Sequence, residues 1–484
     1  MTATKISFLI YLIFLMGIGV YFYLKTANLE DYLIGGREMG SWVTALSAQA
    51  SDMSGWLLMG LPGAVFLSGL NQAWIAIGLF IGTVLNWKYI AGRLRVYTEK
   101  TNSMTLPSYF EVRFGDRTGL LRIISAVIIL LFFTIYSASG LVAAGKLFES
   151  LFNINYTVAV ICGGMAIVLY TFLGGFMAVS WTDFFQGTLM FFAITIVPAI
   201  AFFRTGGIEP IIDTAAAGGI SLALIPQNLS LLAIISSLAW GLGYFGQPHI
   251  LARFMGIKSL KKLKKARKIA VVWVAVSLFA AVMVGIISIP MFPEIADSEK
   301  VFIEMINTIF NPWLGGILLA AILSAIMSTI DSQLLVASST LTEDFYNKLI
   351  KREASDLEKI WVGRIFVIVI AVIAFILALD PGNTVLELVA YAWAGLGTAF
   401  GPAVLFSIFS KRTNWTAILA GMIVGTAVLI FWKETGLSVQ LYEIIPGFVS
   451  NCLVIMLVNI FDQQSNQSVL DQYQEVDKIY QIEK

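Results

Sequence analysis

Apolar runs about as long as a bilayer is thick follow one another along this chain, separated by short polar breaks. A hydrocarbon core about 30 Å thick needs about 20 residues of helix, so each run reads as a membrane span. About 13 candidates result. They cover 7–24, 41–63, 70–91, 121–147, 156–173, 183–203, 229–248, 270–290, 312–338, 360–379, 384–409, 414–432 and 441–460. The pattern predicts an all-α, multi-pass membrane protein. One transmembrane domain occupies 1–461, and a polar tail over 462–484 is too short to fold independently. The first run is expected to stay as a mature helix, because it is too long for a signal-peptide core and no small-residue cleavage site follows it.

Composition agrees. The 484 residues are 58% hydrophobic and only 13% charged, with a mean hydropathy of +0.84, far from the balance of a soluble globular chain. The two cysteines, Cys162 and Cys452, both fall inside spans, and His249 is the single histidine. A disulfide framework, a Cys-rich metal site and any chemistry needing several histidines are thereby excluded.

A formal net charge of +1 hides a strong asymmetry. Arg93, Arg95, Lys100, Arg113, Arg117 and Arg122 crowd one polar segment, and Arg253, Lys258, Lys261, Lys262, Lys264, Lys265, Arg267 and Lys268 another. Lys348, Lys351, Arg352 and Lys359 follow, then Lys411 and Arg412. The segment carrying Glu294, Asp297, Glu299 and Glu304 is acidic. The positive-inside rule puts the basic segments in the cytoplasm, with the N-terminus outside, the C-terminus inside and the protein in the cell (inner) membrane. The 258–268 run reads as a basic collar facing lipid headgroups.

Two spans carry polar or glycine-rich interruptions. The second holds Ala48-Gln49-Ala50-Ser51-Asp52-Met53-Ser54-Gly55-Trp56, and the seventh holds Trp240-Gly241-Leu242-Gly243-Tyr244-Phe245-Gly246-Gln247-Pro248-His249. Secondary transporters built from inverted repeats place solute and ion at helices broken near the membrane midplane. The two interruptions lie five spans apart. This spacing fits a five-plus-five core with one extra N-terminal helix and two extra C-terminal helices.

Asp52 lies mid-span, where a charge costs at least about 2.5–3.5 kcal/mol without a partner. Two readings stand: a cation site beside freed backbone carbonyls, or a carboxylate whose hydrogen bonds hold the break open. In the ninth span Ala325, Ser328, Thr329 and Ser332 share one helical face, offering two hydroxyls to an ion or forming an ordinary helix contact. Asp183 and Asp331 lie near membrane depth, as ion ligands or as helix caps. Trp56, Tyr136, Trp240 and Tyr244 flank the breaks and suit the flat walls of a solute pocket or plain packing.

Asp31-Tyr32-Leu33-Ile34-Gly35-Gly36-Arg37, the Ala50–Gly55 patch, Gly174-Gly175 through Thr182-Asp183 to Gln186, and Ala325 to Thr329 resemble the sodium/solute symporter family. The resemblance covers nearly the whole chain, and Trp240 to His249 most resembles the family's proline-transporting branch. It implies an inverted-repeat fold of the leucine-transporter type working by alternating access. It further implies a sodium site of the Ala50, Met53 and Ala325 carbonyls and the Ser328 and Thr329 hydroxyls, with Asp52 essential nearby. Tyr136, Trp240, Tyr244, Pro248 and Trp56 are implied at the solute, and Arg37 as a coupling residue on the cytoplasmic side. The resemblance to some relatives also implies a second sodium site, built from an acid matching Asp183 and from hydroxyls at the positions of Ser328, Asp331 and Ser332. Here Asp331 stands where they carry a hydroxyl.

The expected activity is sodium-coupled import of L-proline, with the sodium ion, L-proline and the lipid bilayer as partners and no organic cofactor or nucleic acid. The alternatives are another small zwitterion or carboxylate as cargo, or a transport-like membrane sensor, against which the absence of a fused signalling module argues. An enzyme is not expected, since no nucleophile and base pair or metal motif is visible.

Overall fold

The computed structural model describes residues 2–23, 34–173, 175–351, 354–380, 382–461 and 467–483. Asp31 to Leu33, Gly174 and Arg352, named above, lie outside them, as does the side chain of Lys348. Among the described residues the chain is helical throughout, apart from turns and one isolated parallel bridge between Met39 and Ile257. Ten described helices are long and apolar enough to cross a membrane, and shorter apolar stretches lie at Trp56–Ser68, Tyr156–Leu169 and Leu231–Gly246. Large apolar side chains such as Ile13, Phe203, Phe279 and Leu169 stand exposed on the outer surface, as a lipid-facing wall requires.

Local chemistry sets the helix ends. Asn311 accepts from the Trp313 and Leu314 amides, both at 3.1 Å, and Pro312 occupies the first turn of Pro312–Thr340, where a missing N–H costs nothing. Asn414 caps Trp415–Glu434 through the Ala417 amide at 2.9 Å.

Both interruptions are true breaks, and each has a visible cause. Ser41–Asp52 stops where Met53 leaves helical geometry (φ −83°, ψ 76°), and the chain resumes through a wide π-type turn, Trp56–Gly60, into Leu61–Ser68. In the seventh span a 3-10 segment, Ala239–Gly246, gives way at Gln247 (φ −86°, ψ 105°) to Pro248–Gly256. Pro248 drives its predecessor out of the α region and brings no N–H, so the helix parts there.

Small residues let the second break sit close to its neighbours. A Cβ on Gly82 would lie 2.3 Å from the Gly241 carbonyl oxygen, and one on Gly243 would lie 1.9 Å from Trp393 Nε1. The 3-10 segment is thus pressed between Ala73–Leu85 and Val385–Phe409. The first broken helix packs against Phe176–Arg204, Leu260–Met291 and Pro312–Thr340. Ala3–Tyr23 precedes the first broken helix, and Trp415–Glu434 and Ile444–Phe461 follow Val385–Phe409.

The ends of the bundle add three features that the sequence reading does not give. Several arginines of the basic segments are buried clamps: Arg113 Nε donates to the Ser407 carbonyl at 2.7 Å and its Nη2 to the Ser410 carbonyl at 2.6 Å, Arg95 bonds the Ile257 carbonyl, and Arg253 is fully enclosed. The acidic segment contains the helix Val301–Ile309, and Glu299 is buried, accepting from Lys146 Nζ at 2.6 Å and from the Val385 and Leu386 amides at 3.0 and 3.1 Å. It thereby fastens the start of Val385–Phe409. The polar tail forms a helix, Gln467–Glu483, that buries Tyr473 and Val476 against the bundle. Tyr473 donates to the Ile408 carbonyl at 2.7 Å, and Lys100–Glu475 and Arg93–Asp477 pairs span 2.6 and 3.2 Å. The partner surface, not intrinsic length, gives that helix its stability.

Candidate ion and solute site

The break at Asp52 alters the hydrogen-bond ledger of its helix. Met53 N still donates to the Gln49 carbonyl at 2.8 Å, but Ser54 N turns to the Asp52 carbonyl at 3.0 Å and leaves the Ala50 carbonyl without its i+4 partner. Ser328 and Thr329 from Pro312–Thr340 reach that oxygen, at 2.7 and 3.3 Å. Both hydroxyls also donate to the Ala325 carbonyl at 3.2 Å. Four oxygens from two helices therefore meet in one buried spot, with Met53 at the adjoining cap. This is a hard-donor set, two carbonyls and two rotatable hydroxyls, of the kind a small hard cation prefers.

The Asp52 carboxylate makes no hydrogen bond to those hydroxyls. Its Oδ2 accepts from the Tyr244 hydroxyl at 2.5 Å, and its Oδ1 is buried with no protein hydrogen-bond partner. The same break gathers three more aromatic groups. Trp56 Nε1 donates to the Asp52 carbonyl at 3.1 Å, the Tyr136 hydroxyl lies 3.5 Å from the same oxygen, and the Trp56 and Trp240 rings are 6.4 Å apart. Pro248 opens the helix just beyond the second break and is buried. The structure thus joins Asp52, Trp56, Tyr136, Trp240 and Tyr244 into one cluster beside the four-oxygen spot.

Residues the sequence reading passes over hold this cluster in shape. Trp393 packs edge-on against Tyr244 at 5.0 Å and donates from Nε1 to the Trp240 carbonyl at 2.8 Å. Tyr442 stacks on Trp240 at 5.5 Å, and Asn86 Nδ2 donates to the Tyr244 carbonyl at 3.0 Å. Asn86 lies in Leu70–Lys100, Trp393 in Val385–Phe409 and Tyr442 in the turn before Ile444–Phe461, and no local signal singles them out.

Asp183 and Asp331 are neither caps nor partners of the four-oxygen spot. Asp183 lies inside Phe176–Arg204, and its Oδ2 accepts from Arg253 Nη2 at 3.1 Å and Ser47 Oγ at 2.7 Å. Arg253 also donates to Ser47 Oγ at 3.0 Å, to the His249 carbonyl at 3.0 Å and to Ser332 Oγ at 2.5 Å. Asp331, deep in Pro312–Thr340, accepts from the Thr171 hydroxyl. A guanidinium therefore stands at the acid implied for a second sodium site. Arg37, with left-handed φ of 54°, is buried and donates to the carbonyls of Met255, Thr98 and Ser103 at 2.9, 3.0 and 2.9 Å. It ties the end of the second broken helix to the last turn of Leu70–Lys100 and the turn that follows.

Comparison with known proteins agrees with this architecture. The sodium:solute symporter family matches residues 32–425. The chain is 49% identical to the sodium/proline symporter of Escherichia coli K12, covering 99% of this chain and 97% of that protein. It is 50% identical to the high-affinity proline transporter PutP of Bacillus subtilis, over 94% of this chain and 98% of the relative. The solved structure of a Na+-coupled sialic acid symporter, in a substrate-bound outward-open state, superposes with a TM-score of 0.83 at 20% identity, covering 96% of this chain and 99% of that one. That likeness bears on the fold alone, which is a leucine-transporter-type bundle organised around two broken helices. With four-fifths of the chain inside the family match and near-half identity to its members from end to end, this multi-pass membrane protein belongs to the sodium:solute symporter family.

Proposed function

We propose that this protein imports L-proline together with Na+ by alternating access. The observation that carries the reading is the meeting of both helix breaks at one buried place, where a hard-oxygen spot adjoins an aromatic chamber. The ion is held by the carbonyls of Ala50, Met53 and Ala325 and the hydroxyls of Ser328 and Thr329. Asp52 supplies negative charge close by and, through Tyr244, links ion occupancy to the second broken helix. Proline presents a compact apolar ring with a carboxylate and a secondary ammonium. Trp56, Tyr136, Trp240 and Tyr244 cover the ring, Pro248 adds an apolar wall, and the free N–H and carbonyl groups of the breaks meet the charged ends. Proline is also the cargo named for the bacterial relatives at near-half identity, which favours it over other small zwitterions.

One Na+ per cycle is sufficient. Moving one charge inward through 100 mV yields about 2.3 kcal/mol, and a tenfold sodium gradient adds about 1.4 kcal/mol, together sustaining roughly 500-fold accumulation. The Arg253 guanidinium serves as a fixed cation at Asp183, so that acid does not need a second Na+. Arg37 couples the inner end of the second broken helix to the cytoplasmic face. The basic ends face the cytoplasm, with the N-terminus outside and the docked Gln467–Glu483 helix inside, in the cell membrane. The test is uptake of labelled proline by cells lacking their own proline transporters. Excess unlabelled L-proline should abolish the signal and excess glutamate or leucine should not; failure of L-proline to compete refutes the assignment.

A further inference from the structure

At the basic end of the bundle a cavity of about 390 Å³ opens between the ends of three spans and the Gln467–Glu483 helix. Lys88, Arg93, Lys264 and Arg267 line it together with Trp87, and Tyr480 of the C-terminal helix forms one wall. No carboxylate stands among the described lining residues, and Asp477 of the C-terminal helix pairs with Arg93 at 3.2 Å. Arg93 is held in place by the Ile408 carbonyl at 3.2 Å and lies over the Phe409 and Tyr480 rings at 5.5 and 5.4 Å. Four cationic side chains brought to one hollow make it electropositive, a field that favours an anion there. Above the hollow the surface turns apolar: Tyr89 and Phe409 are exposed at its edge, and Leu85 is exposed one turn further along the span. Cations below, aromatic rings at the rim and lipid-facing aliphatic side chains above are the layering of a membrane interface.

We propose that this cavity is a binding site for an anionic phospholipid, whose phosphate lies among Lys88, Arg93, Lys264 and Arg267 and whose acyl chains run up past Tyr89 and Leu85. The volume and the apolar rim favour a lipid over a free phosphate ion. The site also separates two groups within the 258–268 run. Lys264 and Arg267 face the cavity, whereas Lys261 and Lys265 are exposed elsewhere and belong to the general basic collar.

The experiment is native mass spectrometry of the full chain released from mixed micelles of phosphatidylglycerol and phosphatidylethanolamine. Wild type should retain phosphatidylglycerol selectively. Lys264→Gln/Arg267→Gln should lower that retention by about tenfold or more, while Lys261→Gln/Lys265→Gln leaves it within about twofold and Arg267→Lys retains most of it. Equal loss in both double variants, or no selectivity in wild type, overturns the proposal. Glycerophosphoglycerol, the headgroup without its chains, should not displace the lipid at matching concentration; displacement would make this a soluble-phosphate site and overturn the lipid assignment.

Discussion

Replacing one member of the Arg253–Asp183 pair leaves its partner as an uncompensated charge at membrane depth. Both side chains are fully buried. In Arg253→Gln the Asp183 carboxylate keeps only Ser47 as a donor of its present set, and in Asp183→Asn the guanidinium keeps only the neutral acceptors Ser47, His249 and Ser332. Breaking a buried pair in this way costs about 3–5 kcal/mol. The double variant Asp183→Asn/Arg253→Gln buries no charge and loses hydrogen bonds worth about 1 kcal/mol each. It should therefore be more stable than either single variant, with a coupling energy of at least about 2 kcal/mol. Equilibrium unfolding of the purified protein in mixed micelles with increasing SDS, followed by circular dichroism, gives the three differences. Additive costs, with the double variant the least stable, would refute the pairing and return Asp183 to the pool of free ion ligands.

Three further outcomes are expected. Thr329→Ala and Asp52→Asn should each raise the sodium concentration for half-maximal proline uptake by about tenfold or more, while uptake at saturating sodium keeps its preference for proline; unchanged sodium dependence in both removes the ion-site assignment. Trp240→Ala or Tyr244→Ala should weaken apparent proline affinity by about 1–3 kcal/mol, roughly tenfold to a hundredfold, as measured by uptake kinetics at fixed sodium. In a cysteine-free background, Glu294→Cys and Ala296→Cys should react with an impermeant maleimide added to intact cells, and Lys261→Cys and Lys265→Cys should not; the reverse pattern inverts the proposed topology.

The helix breaks are legible in the sequence because each violates the apolar pattern of its own span. Asp52 puts a charge there, and Pro248 puts a residue that cannot continue a helix. The face shared by Ala325, Ser328 and Thr329 is legible from spacing, since periodicity survives packing. What periodicity cannot supply is the direction of a side chain across the bundle. Asp52 turns to Tyr244 on the other broken helix, a pairing set by tertiary approach alone. Arg253 reads as the first member of a basic run because Lys258 to Lys268 follow it. Yet the break at Gln247 restarts a helix that carries it inward as far as Gly256 before the chain turns. Trp393 and Tyr442 support the aromatic cluster from spans whose sequence has no feature to single them out. The C-terminal helix escapes the reading for a related reason: its polar composition conceals Tyr473 and Val476, two apolar contacts that find their partner only in the folded bundle.

The central claim is that a sodium gradient drives proline uphill through this one chain. Purified protein in proteoliposomes, loaded with potassium buffer and diluted into sodium buffer containing labelled L-proline, measures this directly. The account predicts transient accumulation well above the external concentration, abolished when a sodium ionophore collapses the gradient and much reduced in Asp52→Asn. Proline that merely equilibrates, at the same rate with or without sodium, would contradict it.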